Sequence, residues 1–301
     1  MKPKVAIATG DPAGIGPEIS LKAARDPRVL ELCQPVLFGA RSVLALHGAV
    51  DGVSIVEVPQ EPPRLGSVAP AHGRAALAAA EAAIRAALAG EFDAVVGAPH
   101  TDAAIHAAGI EFDGYPSFVA RTCGLPANDA VLMLAFRAGE REMCIAHVTL
   151  HVGVEQAVRE ITAQRVLETI RAVHRYGARC IGVSGLNPHA VGREEKEIVS
   201  PAIAAAQAEG IAAEGPFGAD ILFQRQQCDA FVVMLHDQGH VAAKVLAPQR
   251  IAALTLGTPV LFSSVGHGSA LDIAGRGKAN PDAIREAITR LVTRRRRARA
   301  T

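Results

Sequence analysis

Short apolar runs, each cut off by glycine, proline or polar residues, alternate with stretches of helical periodicity along this 301-residue chain. Residues 5–9, 35–38, 54–58, 94–98, 130–136, 144–150, 180–184, 231–235 and 250–256 have the length and apolar content of buried strands. Between them, the Ala-rich segment 73–89 places Leu77, Ile84 and Leu88 at helical spacing, and segments 162–176, 194–209 and 282–292 also read as helices. Strands alternating with helices restrict the fold to the α/β class, and no repeat or low-complexity segment interrupts the pattern. The pattern restarts after residues 124–129 and returns through 250–256, which predicts a first domain from 1–127 plus 250–301 and a second from 128–249.

Three of the strand-like runs end near a histidine. Phe231 to Leu235 stops at His236-Asp237-Gln238-Gly239-His240, Cys144 to Leu150 leads to His151, and Cys180 to Leu186 leads through Asn187-Pro188 to His189. The carboxyl ends of strands are where α/β sheets present their chemistry, so the three predict a metal site assembled from distant segments. No compact His-x-x-x-His is present, and position alone does not separate a ligand from an ordinary loop histidine. Two glycine-rich stretches are also candidates. In GDPAGIGPEIS, Pro17 and Glu18 suit a helix start, and Gly10, Gly14 and Gly16 allow close backbone approach; the stretch fits neither G-x-G-x-x-G nor a phosphate loop. In SSVGHGSALDIAGRGKANPD, residues 263–282, four glycines leave N–H groups able to meet a phosphate, and Asp272 offers acceptors to ribose hydroxyls. A plain Gly-rich loop has the same composition.

Half the residues are apolar, with Ala dominant and few aromatics. Lys plus Arg is 31 against 30 for Asp plus Glu, and Arg294–Arg297 with Arg299 supply the excess. The body is therefore mildly acidic, so a nucleic-acid face is not indicated, and the Arg-rich tail reads as a solvated, frayed end. Cysteines at 33, 123, 144, 180 and 228 form no Cys-x-x-Cys motif and suit reduced thiols in a cytoplasmic protein. No apolar stretch reaches the ~18 to 20 residues of a membrane span, and Asp11-Pro12 interrupts any signal-like start.

GDPAGIGPEI (10–19), GLNPHA (185–190), GPFGAD ending at Asp220, the HDQG loop and HGSALDIAGRGKAN (267–280) occur in one order across most of the chain. Together they resemble the 4-hydroxythreonine-4-phosphate dehydrogenase family. The resemblance implies the isocitrate and isopropylmalate dehydrogenase fold, two α/β/α domains flanking a cleft. It implies that His151, His189 and His236 bind one divalent metal, with zinc favoured and manganese, cobalt or magnesium possible. Asp220, Asp237 and Lys244 become catalytic or substrate-binding candidates. The nicotinamide-cofactor role falls on Gly14, His267, Gly268, Ser269, Ala270, Asp272 and Asn280; an acidic residue at the ribose implies NAD rather than NADP. The resemblance also implies a homodimer with the metal site shared between subunits.

Departures from the family pattern bear on the substrate. Tyr115-Pro116-Ser117 replaces a His-Thr-Glu triplet, Asp102 a lysine, and Ala253 and Phe262 the Asn and Arg used with the phosphate. Residues 99–117, 235–248 and 263–277 are instead similar to the terephthalate cis-dihydrodiol dehydrogenase branch. There, oxidation of a small dicarboxylate diol followed by loss of carbon dioxide gives protocatechuate. The expected pocket thus has an apolar surface at Phe262 on which a planar ring stacks, with Lys244 and Ser117 for its charged ends. The alternatives are a phosphorylated threonine or sugar acid as substrate and, outside catalysis, a metabolite-binding protein or a relative of acyltransferases of this architecture.

Overall fold

Strand interiors here are apolar on consecutive rather than alternate residues, which requires cover on both faces. The computed structural model describes residues 2–248 and 250–298. The chain runs β1 (Lys4–Ala8), α1 (Gly16–Ala24), α2 (Pro27–Leu32), β2 (Gln34–Gly39), α3 (Arg41–Leu44), β3 (Ile55–Glu57), α4 (Pro70–Leu88), β4 (Ala94–Gly97), α5 (Asp102–Ala107) and α6 (Tyr115–Thr122). It continues through β5 (Val131–Ala138), β6 (Arg141–His147), α7 (Val154–Glu160), α8 (Ala163–Tyr176), β7 (Ile181–Ser184), α9 (Ser200–Ala208), β8 (Ala213–Phe217), α10 (Ala219–Leu222), β9 (Ala230–Val233) and α11 (His236–Leu246). It ends with β10 (Ile251–Leu256), β11 (Phe262–Val265) and α12 (Asp282–Ala298). Two compact units result: Met1–Ala130 with Ala252–Thr301, and Val131–Ile251.

The first unit orders its strands β3-β2-β1-β4-β11-β10. All pairs are parallel except β10 with β11, where Thr255 faces Phe262. Helix α4 packs on β1, β2 and β4 with α5 and α6 against it, while α12 packs on β4 and β11 with α1 and α2. The small side chains of Ala79, Ala80 and Ala83 let α4 lie close to Ala6, Ala8 and Val95, and Phe262, Tyr115 and Val119 complete that core. In the second unit the order is β5-β6-β9-β7-β8, with only the β5–β6 hairpin antiparallel. Helix α8 covers β5, β6, β7 and β9, and α11 packs on β5, β6 and β9. Thr162 caps α8 by accepting from Arg165 N–H, and Gly177 closes it in the left-handed conformation.

Several elements differ from the sequence reading. Strand β6 ends at His147, so His151 lies beyond it in a turn rather than at its end. The HDQGH stretch is the first turn of α11, not a loop. Strand β8 and helix α7 were not anticipated, and a π-helical turn at Glu195–Val199 precedes α9. Helix α12 continues to Ala298, well into the Arg-rich stretch expected to fray; residues 299–301 lie outside the described residues. Among the described residues no helix is long and apolar enough to cross a membrane.

Candidate active-site residues

Because β1, β4 and β11 run parallel, the loops that follow them emerge at one edge of the first unit's sheet. Asp11, almost fully buried, joins them. Its Oδ1 accepts from Ala13 N–H at 2.8 Å, its Oδ2 accepts from the Thr101 hydroxyl, and Thr101 Oγ1 lies 2.9 Å from Ser269 Oγ. Ile15 N–H donates to the Ser269 carbonyl at 2.9 Å. A Cβ at Gly14 would stand 2.7 Å from Ser269 Cβ and 2.8 Å from its carbonyl oxygen. Gly14 therefore serves loop-to-loop packing on that side. Gly66 donates to the Ala13 carbonyl at 2.8 Å, and buried Glu18 accepts from Ala279 N–H at 2.9 Å and from Lys22. Lys22 in turn holds the carbonyls of Gly277 and Ala279.

This framework leaves His267 and Ala270 partly exposed and Gly268 and Asp272 exposed. A Cβ at Gly268 would meet open space, and Ala270 is in the left-handed region at φ 41°. Backbone N–H groups and a free-standing carboxylate are what the phosphates and ribose of a dinucleotide require, so the segment fits such a group. Asn280, expected at the adenine, uses its Oδ1 on Asp282 N–H at the start of α12.

The substrate candidates of this unit, Tyr115, Pro116, Ser117, Ala253 and Phe262, are all buried. Phe262 is fully buried, its ring 5.0 Å from that of Tyr115, itself buried with its hydroxyl donating to the Ala98 carbonyl at 3.0 Å. Both rings lie inside the core cluster that also holds Val95 and Val119, which leaves neither a face for a ligand. Ala253 is buried in β10 and Pro116 in α6, and Ser117 donates to Asp113 or Gly114. Of the residues nearby, His100 is the better placed: it is partly exposed, 4.7 Å ring to ring from Tyr115 and 3.1 Å from Asp102.

In the second unit, Gln238 anchors the start of α11. Its Oε1 accepts from Met234 and Leu235 N–H at 2.9 and 3.0 Å, and its Nε2 donates to Gly185 at the end of β7. Gly239 then brings the helix onto β6, for a Cβ there would lie 2.3 Å from the His147 ring. Four imidazoles gather: His236 stacks on His240 at 3.8 Å, His240 lies 4.6 Å from His147, and His151 lies 5.4 Å from His236. His147 Nδ1 faces the Leu132 carbonyl at 3.4 Å and so carries the proton; its Nε2 then accepts from His240 Nδ1 at 3.1 Å, leaving a lone pair on His240 Nε2. Burial, then His240, hold His147 well below the usual imidazole value, and burial, then His236, lower His240 to about 3. His236 Nδ1 is held by Asp237 at 2.7 Å, the carboxylate–imidazole pairing that orients metal-binding histidines.

Buried Glu195, in the π-turn, shapes the His189 loop by accepting from Leu186 and Asn187 N–H, both at 2.8 Å. The structure does not, however, bring His189 into ring contact with His151 and His236. Among the described residues no three ligand atoms that include a histidine lie within 4.8 Å of one another. One chain thus supplies adjoining imidazoles of the right chemistry without a closed three-histidine set. Asp220 and Lys244 are exposed, on α10 and on the His236–His240 face of α11 respectively.

Comparison with known proteins places the chain among dehydrogenases. Residues 23–291 match the family described as pyridoxal phosphate biosynthetic protein PdxA, and the chain belongs to that family. It is similar to a 1,2-dihydroxy-3,5-cyclohexadiene-1,4-dicarboxylate dehydrogenase of Comamonas sp, at 39% identity with 96% of each chain covered. It is also similar to a 4-hydroxythreonine-4-phosphate dehydrogenase of Burkholderia vietnamiensis, at 35% identity over 99% of this chain and 98% of that one. The crystal structure of a terephthalate 1,2-cis-dihydrodiol dehydrogenase from Burkholderia xenovorans superposes with TM-score 0.68 at 39% identity, over 97% of this chain and 98% of that one. An isocitrate dehydrogenase from Methylococcus capsulatus, 18% identical, shares the fold at TM-score 0.55, over 100% of this chain and 89% of that one.

Proposed function

We propose that this protein is an NAD- and divalent-metal-dependent dehydrogenase of carboxylated cis-dihydrodiols, whose product loses carbon dioxide and aromatises to protocatechuate or a related catechol acid. The observation that carries this reading is full-length similarity, at 39% identity, to an enzyme named for a dihydrodiol dicarboxylate. When bound, a divalent ion would supply a Lewis acid for the alcohol oxygen and NAD would supply a hydride acceptor. This chain's residues do the rest. His151, His189 and His236 would hold the ion, Asp237 fixes the ring of His236, and Lys244 pairs with a carboxylate of the substrate. The Asp11–Thr101–Ser269 bonds hold the backbone of residues 266–270 in place for the cofactor phosphates, with Asp272 at the adenosine ribose.

The incomplete histidine set supports a homodimer in which a second copy completes each site. Sedimentation of a fully active monomer would contradict it. For the substrate, Ala253 and Phe262 matter through the Asn and Arg they replace: a phosphate dianion loses charge-assisted bonds amounting to about 3 kcal/mol or more. Turnover per Michaelis constant is expected to be at least ~10²-fold higher for the dihydrodiol than for 4-hydroxythreonine-4-phosphate. Both are assayed with NAD and zinc or manganese. Efficient oxidation of the phosphorylated threonine alone would establish the alternative, that of the 35%-identical relative.

A further inference from the structure

At the amino ends of β7 and β9, opposite the ends that lead to His189 and His236, two thiols meet. Cys180 Sγ and Cys228 Sγ are 2.7 Å apart. The backbone holds them there. Strands β7 and β9 are adjacent and parallel, with Ile181 beside Ala230. The Cys180 carbonyl accepts from Asp229 and Ala230 N–H at 3.1 and 3.3 Å, and Asp229 Oδ1 accepts from Arg179 and Cys180 N–H at 3.0 Å. On the other side, the Arg141 guanidinium donates to the carbonyls of Phe223, Arg225 and Cys228, at 2.9, 2.7 and 2.7 Å. The turn entering β9 is therefore fixed.

We propose that Cys180 and Cys228 are a dithiol site that reacts with small disulfides and closes to an intramolecular disulfide. The two sulfurs need only a short movement to reach the ~2.05 Å of a bond. Their exposure is unequal: Cys180 is partly exposed and Cys228 buried. Burial raises both thiols, Cys228 to about 12, so Cys180 is the entering nucleophile and Cys228 the resolving one. The Cys180 thiolate attacks a disulfide RSSR, whose S–S bond breaks as RS⁻ leaves, giving Cys180–S–SR. Cys228 then gives up its proton, attacks the Cys180 sulfur and expels the second RS⁻. One RSSR is reduced to two RSH, and two protein thiols become one disulfide.

Glu214 also lies within 4.8 Å of both sulfurs, a set that could hold a soft cation. Its carboxylate is already bonded to Gln227 at 3.0 Å, with Arg225 at 3.7 Å. A tetrahedral zinc with ~2.3 Å bonds needs sulfurs roughly 3.7 Å apart, so the observed separation favours the disulfide.

The test is incubation of the reduced full-length protein with glutathione disulfide at alkaline pH, followed by intact-mass measurement and peptide mapping. Loss of two hydrogens per chain, a Cys180–Cys228 cross-link and reversal by dithiothreitol are expected, with two of the five thiols lost to titration. Cys228→Ser should stop at the mixed disulfide on Cys180, and Cys180→Ser should form no cross-link. Survival of all five thiols, or oxidation confined to other cysteines, would overturn the proposal. So would a thiolate-to-cobalt absorption band in the reduced protein that disappears in Cys180→Ser, which would make the site a metal site.

Discussion

Replacing Gly14 by alanine tests whether the glycine-rich turn holds the 266–270 loop by contact rather than by meeting a ligand. The new Cβ would stand 2.7 Å from Ser269 Cβ and 2.8 Å from its carbonyl, where carbon atoms normally sit about 3.5–4.0 Å apart. The two loops must therefore separate by roughly 1 Å, and the overpacking costs about 1–3 kcal/mol. The same movement breaks the 2.9 Å bond from Ile15 N–H to Ser269, worth about 1 kcal/mol. Urea unfolding should then show a loss of roughly 2–4 kcal/mol, and calorimetric titration should show weaker NAD binding. Adding Ser269→Gly removes the nearer contact but leaves the carbonyl, so the double variant should recover part of the loss. An unfolding free energy within ~0.5 kcal/mol of wild type, or strict additivity of the two changes, would refute the reasoning.

Phe262→Ala should cost about 3–5 kcal/mol of stability by opening a core cavity, whereas Phe262→Leu should leave the ratio of kcat/KM between the two substrate classes nearly unchanged. A ratio that collapses in the leucine variant would return the ring to the pocket. In metal-free protein, unfolded His240 takes up a proton near 6.5 while the folded side chain resists until about 3, so stability should be full above pH 6.5 and fall as pH is lowered through that window. The slope is about 1.4 kcal/mol per pH unit for one group, His147 acts in the same direction, and a flat profile from pH 7 to 5.5 in chelator would contradict it. Asp272→Ala should narrow the preference for NAD over NADP chiefly through the NAD Michaelis constant; a wild type that prefers NADP would remove the premise. His236→Ala should abolish turnover with the circular dichroism spectrum retained, and full activity in that variant would end the metal role.

The α/β class and most strands were legible because apolar runs of strand length recur between helical segments, a signal that needs no tertiary information. The HDQGH turn was misread because Gly239 looks like a stop. Its real constraint is the ring of His147, 92 residues earlier in the chain, and no local pattern contains it. His147 itself was hidden inside an apolar strand, and His240 drew no separate role beside His236. Strand β8 escaped because its Gly215-Pro216 pair reads as a turn. Phe262 was taken as a pocket wall because a substitution that removes a charge suggests an emptied site; the buried tyrosine that fills the space is contributed by α6, 147 residues earlier in the chain. Asp11 and Thr101, the bonds between the cofactor-side loops, stood within recognised motifs and lacked only the pairing.

The position of β11 has a consequence for biosynthesis. Its place in the first unit's sheet is beside β4, yet Phe262 leaves the ribosome roughly 165 residues after Gly97, the end of β4. At ~5–20 residues per second that interval is roughly 10–30 s. During it, the nascent chain carries a β4 edge without its β11 neighbour, while residues 131–251, the whole of the second unit, emerge as one contiguous piece. The unit begun second is thus finished first, and any chain that stops before residue 262 keeps an open strand edge of the kind that recruits other chains.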